Sequence, residues 1–126
     1  YKRITNKLND NVNKFILDLV KLNPKAIVIE DLNVKAMFSD KSVAKYLKYC
    51  KFGEIRQKII NKCSMYSVNV VLADRYFPSS KLCSQCGCVK KKLKRSDKIY
   101  ICEHCGAEID RDLNASINLA NLVPTR

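Results

Sequence analysis

The sequence lacks the features that send a chain to or through a membrane. Its 126 residues contain no apolar run of membrane length and no signal-peptide pattern. Nothing in it therefore favours export or membrane insertion. The chain also begins at Tyr1 rather than at a methionine, which first suggests a piece of a longer protein.

Acidic residues are scarce. The chain has 12 of them against 24 lysines and arginines, a formal net charge of +12. Such a field attracts polyanions, and nucleic acid is the commonest of these partners. The alternative is a basic surface that is merely solvated.

The hydrophobic pattern predicts one small α/β unit. Short β-branched runs alternate with segments whose apolar residues recur every three or four positions. The predicted elements are a helix over 4–20, a strand over 26–30, a helix over 53–66, a strand over 67–73 and a helix over 112–122. Strand, helix and strand in this order favour a parallel pair with a right-handed crossover. The stretch 31–51 is interpreted as loop with one short helix.

The two predicted strands lack partners. Both are continuous and apolar, as in strands buried on both faces, and two such strands cannot bury each other. No further strand of this kind occurs in the 126 residues. We expect the partners upstream of Tyr1.

The cysteines predict a zinc ribbon. Four of the seven form Cys83-x2-Cys86 and Cys102-x2-Cys105, separated by fifteen residues. Each pair can supply two thiolates to a tetrahedral ion, and the glycine after each second cysteine permits a tight turn. Four thiolates leave no position for water, so we expect a structural ion. A redox or disulfide role is the weaker alternative.

Other residues near the two Cys-x2-Cys turns, here called knuckles, are not interpreted as ligands. Cys88 and His104 are taken as bystanders rather than ligands. Tyr76, Phe77 and Tyr100 could stack on bases, but we expect them to pack the small core of the ribbon.

A basic segment connects the knuckles. Five of the six residues from Lys90 to Arg95 are basic, and phosphate contact is the functional interpretation. A solvated loop tip is the alternative. The candidate contacts are Lys90, Lys91, Lys92, Lys94 and Arg95.

Three carboxylates are candidates for a second kind of ion. Glu30 closes the first predicted strand, where open α/β sheets place ligands, although by position alone a solvated strand end is the more ordinary interpretation. Asp110 and Asp112 open the last helix, where aspartate also serves as a cap. In a basic chain with a ribbon, the combination suits magnesium held by a few carboxylates and substrate phosphates.

The motifs IVIEDLNVKAM, FPSSKLCSQCG and CEHCGAEIDRDLNASINLAN, in this order, resemble the C-terminal part of TnpB (OrfB) proteins, the transposon-encoded proteins often labelled transposases. The resemblance runs from the first helix to Asn121. It implies an RNase H-like, RuvC-type nuclease domain with a zinc ribbon inserted before its last acidic motif. It further implies Mg²⁺- or Mn²⁺-dependent, RNA-guided cleavage of DNA in a prokaryotic-type cytoplasm, with DNA and a guide RNA as partners.

Carried over by position, the resemblance makes Glu30 and Asp112 the second and third catalytic acids, with Asp110 as the nearby alternative. It makes the four ribbon cysteines the zinc ligands, and Asn114 a support for the helix start. The family's first acid, in a Gly-Ile-Asp type motif, has no counterpart here. The chain would therefore be inactive alone.

These expectations divide the chain into a partial RuvC-like core over 1–80, a ribbon over 81–108 and a final acidic motif with its helix over 109–126. The competing hypothesis is a zinc-ribbon module that binds DNA or RNA without catalysis. The oligomeric state and the guide RNA stay open.

Overall fold

The first half of the chain is a helical layer packed on a small sheet. A computed structural model describes residues 1–124, and within them the helices are α1 (Lys2–Lys21), α2 (Val34–Ser39), α3 (Lys41–Cys50), α4 (Phe52–Met65) and α5 (Arg111–Ala120). The strands are β1 (Ala26–Glu30), β2 (Asn69–Ala73), β3 (Ile99–Ile101) and β4 (Glu108–Asp110). This is a mixed α/β architecture. No helix of residues 1–124 has both the length and the apolar character needed to cross a bilayer.

The predicted parallel pair is confirmed. β1 and β2 pair in parallel, with Ala26 opposite Asn69 and Glu30 opposite Ala73. Both strands therefore end at the same edge of the sheet, and Glu30 is the last residue of its strand at that edge.

The prediction that both strands are buried on both faces is wrong. Every residue of β1 is half-buried, and Leu72 of β2 is 51% exposed. The physical reason is the size of the sheet, which contains two strands among the described residues. Each strand then has one edge without a neighbouring strand within residues 1–124.

The core of the first half forms where α1, α4 and the sheet meet. Val20, Cys63 and Val68 are buried there, and the partly buried side chains packed against them are Leu17, Ile27, Ile59 and Val70. Burying one such aliphatic side chain contributes about 1.5–3 kcal/mol. The predicted helix end at Asn23 and Pro24 is also confirmed: α1 stops at Lys21, and Asn23 has a φ of 51°, a conformation that asparagine tolerates.

The segment 31–51 contains two helices rather than one short helix. Asn33 begins α2 by accepting a hydrogen bond from the amide of Ala36, and Asp40 begins α3 by accepting from the amide of Ser42. Side-chain capping satisfies amides that a short helix otherwise leaves unpaired. These two caps are local signals that the apolar pattern alone did not reveal.

The second half is a ribbon with its own small core. β3 and β4 pair antiparallel across the second knuckle, and Leu82 bridges Val89 across the first. Tyr100 is fully buried between Cys83 and Cys102. Helix α5 follows β4 directly and lies against both the ribbon strands and β1, so it joins the two halves.

Candidate functional site

Four cysteine sulfurs converge in the ribbon. The Sγ atoms of Cys83, Cys86, Cys102 and Cys105 all lie within 4.8 Å of one another. Cys83 is 3.7 Å from Cys105, and Cys86 is 3.6 Å from Cys102. A tetrahedral zinc with bonds of about 2.3 Å requires sulfurs about 3.8 Å apart. The predicted cluster is therefore present, with a size and donor set consistent with structural zinc.

The two knuckles share one backbone design. In the first, the Gly87 amide donates to the Cys83 oxygen at 2.9 Å, and in the second the Gly106 amide donates to Cys102 at 3.0 Å. The two glycines have φ values of 77° and 73°. Nothing lies within 4 Å of where either Cβ would stand. The glycines are therefore needed for backbone conformation and not for space, which confirms their predicted role.

The thiols of the cluster compete for protons when no ion neutralises them. Amides of Cys105 and His104 donate to Cys102 and lower its pKa to about 6. The amide of Cys88 acts in the same direction on Cys86, but desolvation of its thiolate and the neighbouring thiols outweigh this effect and raise the Cys86 pKa well above that of a free thiol. Deprotonation of one thiol is therefore easy, whereas deprotonation of the next costs free energy. A divalent cation removes that cost, because it binds the deprotonated form.

Tyr100 packs against Cys83 and Cys102 of the cluster. Its hydroxyl donates to the Lys81 oxygen at 3.0 Å. Burial, followed by the charge of the cluster cysteines, raises the pKa of Tyr100 to about 12. The prediction that Tyr76, Phe77 and Tyr100 pack the core of the ribbon is confirmed for Tyr100 and is wrong for the other two. Tyr76 is 87% exposed, and Phe77 lines the cavity beside Glu30.

Two asparagines tie α5 to the first knuckle. Asn114 is fully buried; it accepts from the Ser84 amide at 2.9 Å and donates to the Leu82 oxygen at 2.8 Å. Asn118, also buried, donates to Leu82 at 2.7 Å and to the Ser79 oxygen at 2.8 Å. The expectation that Asn114 supports the helix start is corrected by these contacts, because its amide group binds the ribbon. Asn118 was not singled out by the sequence, although its spacing of four from Asn114 places both on one helix face.

Glu30 lies at the carboxyl end of the parallel pair. Its carboxylate accepts a hydrogen bond from the hydroxyl of buried Ser79. Beside it is a cavity of about 90 Å³, room for a few waters. Its lining comprises Glu30, Asp31, Leu32, Ala73, Asp74, Arg75, Phe77 and Leu119. Glu30 is thus half-buried and oriented rather than freely solvated.

Asp31 was missed by the sequence reasoning. It pairs with Arg56 at 2.9 Å and with Arg75 at 3.3 Å. The two guanidiniums satisfy this carboxylate, so it is less suited to binding an ion than its neighbour Glu30. The signal that could have found it is its place directly after a strand, next to another acid.

Asp110 and Asp112 have different surroundings. One oxygen of Asp110 accepts from the amides of Asp112 and Leu113, at 2.9 and 3.0 Å, so Asp110 is the N-cap of α5. Asp112 lies in the first turn and is exposed. Leu119, which lines the Glu30 cavity, follows Asp112 by seven residues, and is therefore on the same helix face about 10 Å along the axis.

The structure does not gather the predicted carboxylates into one cluster. Within residues 1–124, the groups of three or more potential ligands contain neither Glu30 nor Asp112. The helix that carries Asp112 is nevertheless connected to Glu30, through Asn118 and Ser79.

The basic segment is mostly exposed. Lys91, Lys92 and Lys94 are exposed and make no side-chain ion pair within the described part of the chain. Lys90 differs, since its ammonium donates to the Ile101 oxygen at 2.9 Å and lies 5.6 Å from the centre of the Tyr100 ring. Arg95 pairs with Asp40 at 3.2 Å.

A wide cleft opens between the ribbon and the helices α2 and α3. Its volume is about 830 Å³, and Arg75, Arg95 and Arg111 line it from three different segments. Arg111 is held in place by donating to the backbone oxygens of Lys94 and Arg95, each at 3.1 Å. Asp31 and Asp40 also line the cleft and pair with Arg75 and Arg95, so Arg111 is the lining arginine that makes no ion pair within residues 1–124.

Comparison with known proteins places these features in a family. A family profile described as "Cas12f1-like, TNB domain" matches residues 52–119. A protein of Streptomyces pristinaespiralis, provisionally named an RNA-guided DNA endonuclease, is 38% identical over 119 residues, 94% of this chain and 29% of the relative. TnpB-like protein L79 of Acanthamoeba polyphaga mimivirus is 34% identical over 125 residues, 94% of this chain and 23% of the relative. The chain spans less than a third of the length of these curated relatives.

A solved structure has the same fold. It is the cryo-EM structure of a Cas12f1-sgRNA-target DNA complex, with a TM-score of 0.70 and 21% sequence identity. The match covers 96% of this chain and 34% of that one. The mixed α/β fold with its four-cysteine cluster therefore corresponds to part of Cas12f1.

Proposed function

This chain belongs to the Cas12f1-like, TNB domain family, and we propose that it forms part of a RuvC-type, RNase H-like nuclease that cleaves DNA under RNA guidance. In this proposal residues 1–80 and 109–126 belong to the nuclease core. Residues 81–108 are a zinc ribbon that positions the last acidic motif and carries no chemistry itself.

One observation carries the proposal: Glu30, Ser79 and Asn118 form a continuous chain of contacts between the sheet edge and α5. Helix α5 also carries Asp112 in its first turn. Because Asn118 and Asn114 fasten α5 to the ribbon, zinc binding would fix the helix that presents this second acid. The role of the ribbon would then be to position the helix that carries Asp112 beside the acidic site.

Asp112 is the better candidate than Asp110 for the ion. Both aspartates are exposed, but an oxygen of Asp110 already accepts two amides as the helix cap. We therefore assign Glu30 and Asp112 as metal-binding carboxylates, with Asp110 as the alternative.

When bound, Mg²⁺ or Mn²⁺ activates water and stabilises the leaving oxygen of a phosphodiester. The oxygen ligands of Glu30 and Asp112 suit such hard ions. Ser79 orients Glu30 by donating to it, and the partly enclosed cavity limits water around that carboxylate.

Nucleic acid is the proposed partner. Exposed Lys91, Lys92 and Lys94, together with Arg111 of the adjacent cleft, offer positive charge to a phosphate backbone. The fold relative bound to sgRNA and target DNA supports this assignment. Lys90 and Arg95 contribute less, since each has a partner within the protein.

Paramagnetic Mn²⁺ tests the acidic site directly. We expect Mn²⁺ to broaden the backbone NMR signals of Glu30 and Asp112 in the zinc-loaded chain, and Glu30→Gln to weaken the effect. The matched control is Glu103→Gln, which removes an exposed acid of the ribbon. Broadening that needs Asp110 instead would favour the alternative acid, and no selective broadening would refute the metal-binding assignment.

A binding module without catalysis is the second candidate. It is favoured by the absence of Glu30 and Asp112 from any three-ligand group within residues 1–124. Under this hypothesis the chain binds DNA and RNA, while Mn²⁺ does not selectively broaden the backbone NMR signals of Glu30 or Asp112.

A further inference from the structure

A second set of soft ligands lies on the outside of the four-cysteine cluster. Ligand atoms of Cys86, Cys88 and His104 all lie within 4.8 Å of one another. Cys86 and His104 are exposed, and Cys88 is half-buried. No sequence pattern predicts this grouping, because fifteen residues separate Cys88 from His104 and, from the sequence, both are interpreted as bystanders.

The ribbon backbone holds these residues in place. The Cys83 amide donates to the Cys88 oxygen at 2.8 Å, which fixes Cys88 where the first knuckle closes. His104 lies within the second knuckle, between Cys102 and Cys105, whose own turn is closed by the Gly106 amide. The three ligands thus come from two rigid turns that the four-cysteine cluster already brings together.

The donor chemistry suits a soft or borderline cation. Thiolate and imidazole together select Zn²⁺ and its heavier analogue Cd²⁺ over hard ions such as Mg²⁺. The upper bound of 4.8 Å on the distances between these ligand atoms is compatible with one shared ion, because donors about 2.0–2.3 Å from an ion lie roughly 3.5–3.8 Å apart. Three protein ligands would leave a fourth position for water.

Charge balance also favours a second cation. A divalent ion with four thiolates has a net charge of −2, and Cys86, which belongs to both groups of ligands, is an exposed residue. A thiolate in this position can bridge two metals. Adding a second divalent ion and the Cys88 thiolate brings the group to −1, so the excess negative charge falls.

We propose that Cys86, Cys88 and His104 form a second site for a soft divalent cation, Zn²⁺ or Cd²⁺, and that Cys86 Sγ bridges this ion to the one in the four-cysteine cluster. The site is more open than the first, so its ion exchanges faster and is removed first by a chelator. This inference concerns the ribbon alone and does not depend on the proposed nuclease function.

Cadmium titration of the full chain tests the site. The apo chain, kept reduced with a phosphine, is titrated with ¹¹³Cd²⁺ and followed by native mass spectrometry and ¹¹³Cd NMR. We expect two ions per chain, two cadmium resonances coupled through the shared sulfur, and a further coupling to the ring protons of His104. Limited chelator should return the stoichiometry from two to one.

Variants identify the ligands. Cys88→Ala and His104→Ala should each bind one ion, with the first resonance retained as evidence that the ribbon still folds. Cys50→Ala removes a half-buried cysteine outside both clusters, and should keep two ions. Saturation of the unaltered chain at one ion would overturn the proposal, as would two bound ions in both Cys88→Ala and His104→Ala.

Discussion

Ser79 donates its hydroxyl hydrogen to the carboxylate of Glu30, a residue 49 positions earlier in the chain. Ser79 is buried, and its backbone oxygen accepts from Asn118 of α5. One short segment before the first knuckle thereby contacts the sheet edge on one side and the last helix on the other. The position of Glu30 is consequently coupled to the packing of α5 and, through Asn118 and Leu82, to the ribbon.

The first prediction concerns this coupling. Replacing Asn118 by alanine removes two hydrogen bonds to backbone oxygens in a buried position. We expect the free energy of unfolding of the zinc-loaded chain to fall by about 1–3 kcal/mol, because the Ser79 oxygen loses its donor while the Leu82 oxygen keeps its bond from Asn114. Chemical denaturation measures this loss.

The matched control is Asn121→Ala, which removes the same side chain from an exposed position just after α5. It should change stability by less than about 0.5 kcal/mol. Equal effects of the two substitutions would show that the contacts of Asn118 with the ribbon do not stabilise the chain.

The second prediction concerns zinc. Cys102→Ser removes a thiolate whose pKa is already low, and we expect the bound zinc measured by elemental analysis to fall from its full value to near zero. Structural zinc contributes on the order of 10 kcal/mol to the folding of small domains, so the ribbon should unfold. Cys50→Ser lies outside the cluster and should leave this ion bound. Full zinc at the cluster in Cys102→Ser would contradict the ligand assignment.

The third prediction concerns pH. The pKa of Tyr100 is about 12 in the folded chain, above the value of about 10 for a free phenol. The folded state therefore holds this proton more tightly than the unfolded state does. The corresponding stability is fully present below pH about 10 and is lost as pH rises towards 12.

Tyr100→Phe isolates this effect. It should cost about 1 kcal/mol at neutral pH, since the Lys81 oxygen keeps its bond from the Lys90 amide. The stability gap between Tyr100→Phe and the unaltered chain should narrow from pH 10 upward. Tyr76→Phe, at a position that is 87% exposed, is the control. A gap that stays constant to high pH would disprove the raised pKa.

The parts of this fold that the sequence predicted depend on local pattern. The two strands, the parallel pairing and the four ligands follow from apolar runs and from Cys-x2-Cys spacing, and the observed bounds agree closely. The contacts of Ser79, Asn114 and Asn118 were not predictable in this way. Each joins residues more than 29 positions apart, and no local periodicity encodes such a pairing. Tyr76 illustrates the same limit, because an aromatic residue beside a knuckle can face the solvent as readily as the core.

The fourth prediction concerns the basic segment. Replacing Lys91, Lys92 and Lys94 together by alanine should weaken nucleic-acid binding regardless of base sequence. It should also reduce the slope of log affinity against log salt by about 2–3, because each lost phosphate contact removes up to about 0.9. Fluorescence anisotropy over a range of salt concentrations measures both quantities.

A triple replacement of Lys2, Lys7 and Lys21 on α1 removes the same charge from another exposed surface. This α1 variant should change the slope of log affinity against log salt less than the replacement of Lys91, Lys92 and Lys94 does. If the two triple variants have the same effect, binding arises from the overall field of the protein and not from contacts of the basic segment. Lys90→Ala should chiefly reduce stability, since its ammonium is engaged with Ile101 and Tyr100.

The last prediction is that the 126 residues alone do not cleave DNA, even with Mg²⁺ and a guide RNA. Cleavage of a phosphodiester requires carboxylates that hold ions at both the attacking water and the leaving oxygen, and Glu30 and Asp112 do not lie in one ligand cluster within residues 1–124.

The direct experiment replaces the matching segment of a full-length TnpB-like relative with this chain. We expect the hybrid to cut guided target DNA, with Glu30→Gln and Asp112→Asn each lowering the rate at least about 100-fold, while Glu103→Gln leaves it unchanged. Cutting by the 126 residues alone would show that their own carboxylates suffice. A hybrid that binds DNA normally but loses no activity in Glu30→Gln or Asp112→Asn would remove both acids from the mechanism.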